Sequence, residues 1–273
     1  MTKALLRKFS PAGAALTMAV LLLAAPSFAA DRSKLAVGLG MNFATGDYGT
    51  DTTTDSLRVP LTIDYFPDDR LDFELVIPYL YQSNSNTVLA GGVRYPFEHR
   101  IGMRRTSFDT SDSVSGLGDV TLTTGYLLLR ESDTLPSVRP LLYLKFPTAD
   151  EDEGLGTGEF DIGAGVGAAK WFGRLYTFAE GRYVFQGSNS DLGLKDFATL
   201  EGETGYRLTE RFLSTISLWW STPPADDASD LVEARLNGRY WATDDISLEG
   251  YLGTGLSSAS ADFGAGLTVF YSF

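Results

Sequence analysis

Residues 261–273 have the sequence ADFGAGLTVFYSF, in which an apolar side chain occupies every second position. The apolar face comprises Ala261, Phe263, Ala265, Leu267, Val269, Tyr271 and Phe273. A period of two is typical of a β-strand with one face in an apolar environment. The run is about twice as long as the usual strand of a globular protein, and a tilted strand of this length can cross a lipid bilayer.

The same alternation recurs along the chain, and helical periodicity does not. We predict twelve strands, near residues 35–45, 56–66, 70–82, 117–130, 137–148, 159–172, 174–187, 195–208, 211–222, 230–242, 245–257 and 261–273. Short turns alternate with longer connections rich in Asp, Ser, Thr and Gly, apart from the short connection 258–260. The sequence therefore predicts an all-β fold, a transmembrane antiparallel β-barrel of about twelve strands with short periplasmic turns and longer external loops.

The composition excludes several kinds of site. The 273 residues include no Cys and one His, which rules out disulfides, thiolate metal sites and multi-histidine zinc sites. The formal net charge of −13 argues against a protein that binds nucleic acid through its phosphates. We therefore expect no cofactor, no metal site and no nucleic-acid partner.

Residues 1–30 have the features of a secretory signal peptide. Lys3, Arg7 and Lys8 precede an apolar stretch at 12–25, and small residues at 27–30 offer a cleavage site. The apolar stretch is shorter than the roughly 20 residues that a membrane-spanning helix needs. We expect a cleaved signal at 1–30 and a barrel formed by 31–273 in a bacterial outer membrane.

A secreted soluble barrel or sandwich would also alternate. Twelve strands would then have to fill a wide interior with apolar side chains. Aromatic residues gather near the predicted strand ends, as at Tyr65-Phe66, Trp171-Phe172 and Tyr240-Trp241. Because such positions suit rings at the two lipid–water interfaces, the membrane barrel is favoured and membrane lipid is an expected partner.

Two further partners are expected from single features. Phe273, with Tyr271 two positions earlier, resembles the C-terminal signal of barrels that the outer-membrane assembly machinery inserts. Arg104-Arg105, in the longest predicted loop, could bind the phosphates of lipopolysaccharide, although exposed arginines without a partner fit equally well.

Two regions fit the strand pattern poorly. Pro60, Pro78 and Pro140 fall within predicted strands, where a proline cannot donate to the ladder, and bulges near strand ends could hold them. Within 83–116, the segment Thr87–Tyr95 suits either a strand extension or a hairpin above the membrane.

Charged side chains of both signs occupy the face opposite the apolar one. They either border an aqueous path and set its selectivity, or pair across strands and plug a narrow barrel. Twelve strands lie between filled eight-stranded barrels and open sixteen-stranded channels, so both alternatives stay open. The candidate lumen residues are Arg58, Asp64, Asp72, Glu74, Arg139, Lys145, Glu180, Arg182, Glu201, Glu203, Arg207, Glu233, Arg235 and Arg239.

Three short motifs carry a family resemblance. Ser115-Gly116-Leu117-Gly118-Asp119 opens one predicted strand, Lys145-Phe146-Pro147-Thr148 closes the next, and Gly154-Leu155-Gly156-Thr157-Gly158 opens a third. Over about 115–273 they resemble the bacterial outer-membrane family named for the meta-pathway of phenol degradation, although Ala149-Asp150 replaces the Gly that often follows the Pro-Thr pair. The resemblance implies a porin-like transporter of small, often hydrophobic or aromatic, compounds, and it implies no substrate residue.

For three other motifs we favour a structural explanation. The acidic run at 150–153 lacks the spacing of a calcium loop and suits a solvated loop. Gly163, Gly165 and Gly167 lack the spacing of a dinucleotide loop and suit small residues that leave room in the lumen. His99 has no G-x-S-x-G motif to act with, so we expect no enzyme.

The leading hypothesis is an outer-membrane channel or transporter for passive passage of small, hydrophobic or aromatic solutes. The alternative is a structural or surface-interaction barrel with a plugged lumen and acidic loops that bind a partner or divalent ions. A third, weaker hypothesis is an outer-membrane lipid hydrolase that uses His99.

Overall fold

A computed structural model describes residues 34–84, 87–90, 93–96, 113–189, 192–226 and 228–273. No helix in these ranges is long and apolar enough to cross a membrane. The signal peptide predicted at 1–30 lies outside them. The strands are β1 (Leu35–Gly46), β2 (Thr54–Tyr65), β3 (Leu71–Gln82), β4 (Thr87–Ala90), β5 (Val93–Pro96), β6 (Val114–Leu117), β7 (Val120–Tyr126), β8 (Ser137–Phe146), β9 (Asp161–Phe172), β10 (Leu175–Phe185), β11 (Phe197–Thr209), β12 (Phe212–Ser221), β13 (Leu231–Trp241), β14 (Ile246–Gly255) and β15 (Phe263–Ser272).

Thirteen of these strands form one antiparallel sheet that closes on itself. β1 pairs with β2 on one side and with β15 on the other. β6 and β7 follow each other along β3, so together they make one barrel strand with a break at 118–119. The closed barrel therefore has twelve strands, which confirms the prediction. Closure matters because lipid offers no partner to the unpaired N–H and C=O groups of a sheet edge.

The two ends of the barrel differ in their connections. At one end the connections are short, down to the two residues 173–174, where Gly173 takes a φ of +66° that favours glycine. At the other end they include the longer segments 83–113, 147–160 and 186–196. We call these ends the turn end and the loop end, and in an outer-membrane barrel they correspond to the periplasmic and external sides.

The outer surface is apolar, and the inner surface is polar. In β1, Leu39 and Met41 are each 60% exposed, whereas Asn42 is 8% exposed and faces the lumen. In a soluble barrel the apolar face would fill the core. The observed orientation is the one that a lipid environment requires.

Aromatic residues near the strand ends divide between the two faces. Tyr65, Phe172 and Tyr240 are exposed on the outer surface at the turn end, where interfacial rings are expected. Trp171 and Trp241 instead pack inside the barrel. Their prediction as interfacial rings is wrong, because successive residues of a strand point to opposite faces.

The strand prolines are accommodated in two ways. Pro60 and Pro78 lie directly opposite each other in β2 and β3, with no change of register between these strands. Opposite Pro78 the facing chain carries an extra residue, at the break between β6 and β7, and Gly118 N donates a hydrogen bond to Pro78 O at 2.8 Å. The extra residue therefore lies in the strand that faces Pro78, whereas bulges that hold the prolines themselves were expected. Pro140 lies just beyond the last pair of the β7–β8 ladder.

The connection between β3 and β6 contains a separate hairpin. β4 and β5 pair with each other in a two-stranded sheet of their own, so the hairpin alternative for Thr87–Tyr95 is the observed one. Residues 97–112, with His99, Arg104 and Arg105, lie outside the described residues.

Candidate functional site: the barrel lumen

The candidate site is the interior of the barrel. The structure places all fourteen predicted lumen residues at inward-facing positions, where they are buried or half-buried. They come from β2, β3, β8, β10, β11 and β13, so charges line most of the circumference. Their effect on solutes stays a prediction.

One ion pair reaches across an intervening strand. Arg139 of β8 binds Asp72 of β3 through two guanidinium nitrogens, with Nε 2.9 Å from Oδ2. β7 lies between these strands and contributes Gly125 at the crossing point. A Cβ atom at position 125 would overlap the Arg139 guanidinium. Gly125 thus leaves the room that the ion pair needs.

A buried carboxylate of the lumen, Glu249, was not predicted from the sequence. Glu249 of β14 lies directly opposite Arg239 of β13 and forms an ion pair with it. Ile246, Leu248 and Leu252 alternate with it in the sequence, so the period of two could have placed Glu249 on the lumen face.

Two further carboxylates that were not predicted, Asp119 and Asp161, lie at the loop end. Lys145 Nζ lies 2.8 Å from Asp161 and 3.4 Å from Asp119, and it donates a hydrogen bond of 2.6 Å to Thr157 Oγ1. Lys145 and Asp161 are opposite each other in β8 and β9, whereas Asp119 lies at the break between β6 and β7. These contacts join three barrel strands to the 147–160 connection.

Two arginines pair with a carboxylate on their own strand. The distance between Arg182 and Glu180 is 2.8 Å in β10, and that between Arg235 and Glu233 is 2.6 Å in β13. The members of each pair are two residues apart, which places both on the lumen face.

The glycines of β9 make room for neighbouring side chains. Gly163 lies opposite Tyr143 of β8, and Gly165 lies opposite Arg182 of β10. The Arg182 guanidinium sits 5.0 Å from the centre of the Tyr143 ring, within the range of a cation–π contact. The space left by the glycines is therefore occupied, whereas the sequence analysis expected open lumen there.

An aromatic cluster narrows the turn end of the lumen. Tyr176, Phe178 and Leu213 are buried together, and Trp171 and Trp241 pack against them. We call these five residues the turn-end cluster. The Arg207 guanidinium lies 4.2 Å from the centre of the Trp171 ring, within the range of a cation–π contact.

The β4–β5 hairpin covers part of the loop end. Val88 is buried against Ala225 and packs with Leu192 and Leu194 from the 186–196 connection. Leu89 packs against a second cluster of Leu80, Val114 and Leu155. The hairpin thus ties three external connections together across the mouth of the barrel.

A cavity remains inside the barrel on the side of β1–β3, β14 and β15. Its volume is about 40 Å³. Polar side chains and two aromatic rings share its wall, among them Asn42, Arg58, Thr62, Glu74, Tyr251 and Phe270. The opposite side of the lumen holds the ion pairs of β8–β10.

The lumen carries an excess of negative charge. With Glu249, Asp119 and Asp161 added, the described lumen residues comprise ten carboxylates and seven cations. In a narrow low-dielectric passage such an imbalance favours cations over anions.

The remaining sequence motifs add no chemistry to the lumen. Asp150 accepts hydrogen bonds from the backbone N–H groups of Asp152 and Glu153, so the acidic run forms a local turn. Within the described ranges no three carboxylates or other ligating groups are placed to hold a metal ion.

At the turn end, a hydrogen bond from Arg130 lowers the pKa of the exposed Asp69 carboxyl.

Comparison with solved structures identifies barrels of the same fold. An outer-membrane channel from Pseudomonas putida F1 matches with a TM-score of 0.68 and 18% identity, over 92% of this chain and 100% of that chain. The KdgM porin matches with a TM-score of 0.52 and 10% identity, over 87% and 99%. The NanC porin matches with a TM-score of 0.51 and 12% identity, over 88% and 98%. These likenesses show that the fold is that of outer-membrane channels and porins.

Comparison of the sequence is more specific. No curated protein matches the chain. The model of the family described as "Putative MetA-pathway of phenol degradation" matches residues 70–273, which extends the resemblance noted over 115–273 toward the N-terminus. The match spans most of the barrel, and the chain therefore belongs to this family.

Proposed function

We propose that the protein is an outer-membrane channel that lets small solutes pass without energy coupling. The observation that carries the proposal is the polar, charged lumen of a closed, lipid-facing barrel, in which a cavity of about 40 Å³ is left unfilled. The common fold with a channel and two porins supports the same class of function.

We further propose that the solutes include small aromatic compounds with a polar group. Tyr251 and Phe270 offer ring faces in the cavity wall, and Asn42, Arg58 and Thr62 offer hydrogen-bond donors. A phenol-like compound would use both kinds of contact. The description of the family, which refers to phenol degradation, agrees with this class.

The test uses one substitution at two sites. Thr62→Phe adds a ring inside the cavity, whereas Thr204→Phe adds the same ring on the exposed outer face of β11. In proteoliposomes, after subtraction of the entry into protein-free liposomes, we expect phenol to enter faster than glucose, Thr62→Phe to slow this protein-dependent phenol entry, and Thr204→Phe to leave it unchanged. Discrete conductance steps in planar bilayers provide the second measurement.

The narrowing of the barrel at both ends favours one other candidate, a plugged structural barrel. The turn-end cluster and the β4–β5 hairpin both narrow the passage. If the folded protein gives no conductance and no phenol entry, the channel proposal fails and this candidate replaces it. A structural role through the acidic run would then predict loss of partner or divalent-ion binding on deletion of 150–153.

A further inference from the structure

Two carboxylates of the lumen lie directly opposite each other on neighbouring strands. Asp64 of β2 is in register with Glu74 of β3, and both side chains point inward. Like charges at directly opposed positions of a sheet destabilise it. This arrangement calls for a compensating positive group.

The arginines nearest to the two carboxylates are each bound to another carboxylate: Arg139 to Asp72, Arg182 to Glu180 and Arg239 to Glu249. Asp64 is 1% exposed, and neither of its carboxylate oxygens has a hydrogen-bond partner among the described residues. In the same described ranges, neither Asp64 nor Glu74 belongs to an ion pair, whereas Asp72 and Glu249 each bind an arginine. A buried carboxylate without a partner is costly, so the pair is poised to take up a cation.

The cavity gives a cation access to this pair. Glu74 lines the cavity, and Asp64 follows the lining residue Thr62 at the next inward position of β2. A volume of about 40 Å³ exceeds the roughly 10–15 Å³ that one water needs, so an ion can enter with part of its hydration. The Thr62 hydroxyl and the Glu74 carboxylate are suitable oxygen ligands for a hard cation.

The small number of carboxylate ligands favours a monovalent ion over a divalent one. In the described part of the chain, no group of three or more His, Cys, Asp or Glu residues is placed to hold a metal ion. The cation of the cavity wall, Arg58, lies six residues from Asp64 along β2, which is roughly 20 Å in an extended strand. Arg58 is therefore too far along the strand to form an ion pair with Asp64.

We propose that Asp64 and Glu74 hold a monovalent cation at the turn-side end of the cavity and make the lumen selective for cations. The inference deepens the proposed channel function and rests on it where it concerns conduction. The ion site itself does not depend on conduction, and it has a separate test.

The first experiment measures the reversal potential in planar bilayers with a KCl gradient. The reversal potential of the unmodified protein should have the sign expected when K⁺ passes more readily than Cl⁻. Asp64→Asn, Glu74→Gln and the double variant should move it toward zero, the double variant furthest. Asp133→Asn, an equal change of charge at an exposed turn, is the control and should leave it unchanged. The proposed selectivity would be overturned if the channel conducted without preferring cations. It would also be overturned if the double variant had the same reversal potential as the unmodified protein.

The second experiment measures the thermal unfolding midpoint in KCl and in N-methylglucamine chloride at equal ionic strength. We expect a higher midpoint in KCl, because K⁺ fits the cavity and the bulky cation does not, and we expect the difference to vanish in the double variant. If the protein shows no conductance in bilayers but keeps this difference in midpoint, the channel proposal fails and the ion site is retained. Equal midpoints in the two salts for the unmodified protein would mean that the pair shares a proton instead, and the ion site would be refuted.

Discussion

At the scale of single residues, Gly125 tests the ion pair that crosses a strand. Gly125→Ala places a Cβ where the Arg139 guanidinium lies, so the bond to Asp72 breaks. Two buried charges lose their partner, and we expect the free energy of unfolding to fall by about 3–5 kcal/mol. Urea titration of tryptophan fluorescence in lipid vesicles measures the change.

Gly202→Ala is the control for this substitution. A Cβ at position 202 meets nothing within 4 Å, since the residue faces outward on β11. We expect a change within about 0.5 kcal/mol. If the two variants were equally stable, the room at position 125 would not matter for the ion pair.

The sequence predicted which residues face the lumen better than it predicted their contacts. A period of two is enough to place Arg139, Asp72 and Arg182 inside. Whether Arg139 meets Asp72 depends on the register of three strands and on the gap at Gly125, which only the assembled sheet specifies. The same period of two also places Glu249 on the lumen face. Tyr251 lies on that face too, and its aromatic ring made the face less clearly polar in the sequence.

At the scale of elements, the β4–β5 hairpin is expected to limit access from the loop end. Val88→Asp puts a charge into the apolar cluster with Ala225 and Leu192, so the hairpin should detach from the mouth. We expect a larger single-channel conductance. Val88→Ala keeps the cluster apolar and should change the conductance little; an unchanged conductance in Val88→Asp would show that the hairpin does not obstruct the path.

The turn-end cluster is expected to narrow the opposite end. Trp171→Ala removes a ring 4.9 Å from Tyr176, and we expect a loss of about 3–5 kcal/mol in stability together with a larger conductance. Trp220 is the matched control, because its side chain lies on the outer face and Nε1 donates to Asp230 at the loop end. Should both tryptophan variants conduct alike, the constriction must lie elsewhere.

Strand positions were predictable because each strand is long and two-faced. The predicted 35–45, 174–187 and 230–242 each overlap one observed strand, β1, β10 and β13. The break at 118–119 was not predicted, since it arises from the extra residue opposite Pro78. The inward position of Trp171 was also missed, because residue type was weighed above its place in the alternation.

At the scale of the whole molecule, a substitution at Phe273 distinguishes a role in barrel stability from a role in assembly into the membrane. Its backbone N–H donates to Leu35 O at the closing seam, whereas its ring is exposed and packs on Tyr271. Phe273→Ala keeps the backbone bond. If the assembly machinery recognises the ring, the fraction of protein with heat-modifiable gel mobility in cells should fall, while the purified barrel keeps its unfolding midpoint. A normal cellular fraction would speak against recognition through this ring.

The strict alternation along the barrel strands also limits which insertions and deletions the protein can tolerate. Deleting one residue at the start of β11 would exchange the two faces at every later position of the strand. Glu201 and Glu203 would then face lipid, and Leu200 would face the lumen. Insertions in the external connections have no such effect. Length variation among descendants of this gene should therefore accumulate in the loops and, within strands, survive only in steps of two residues.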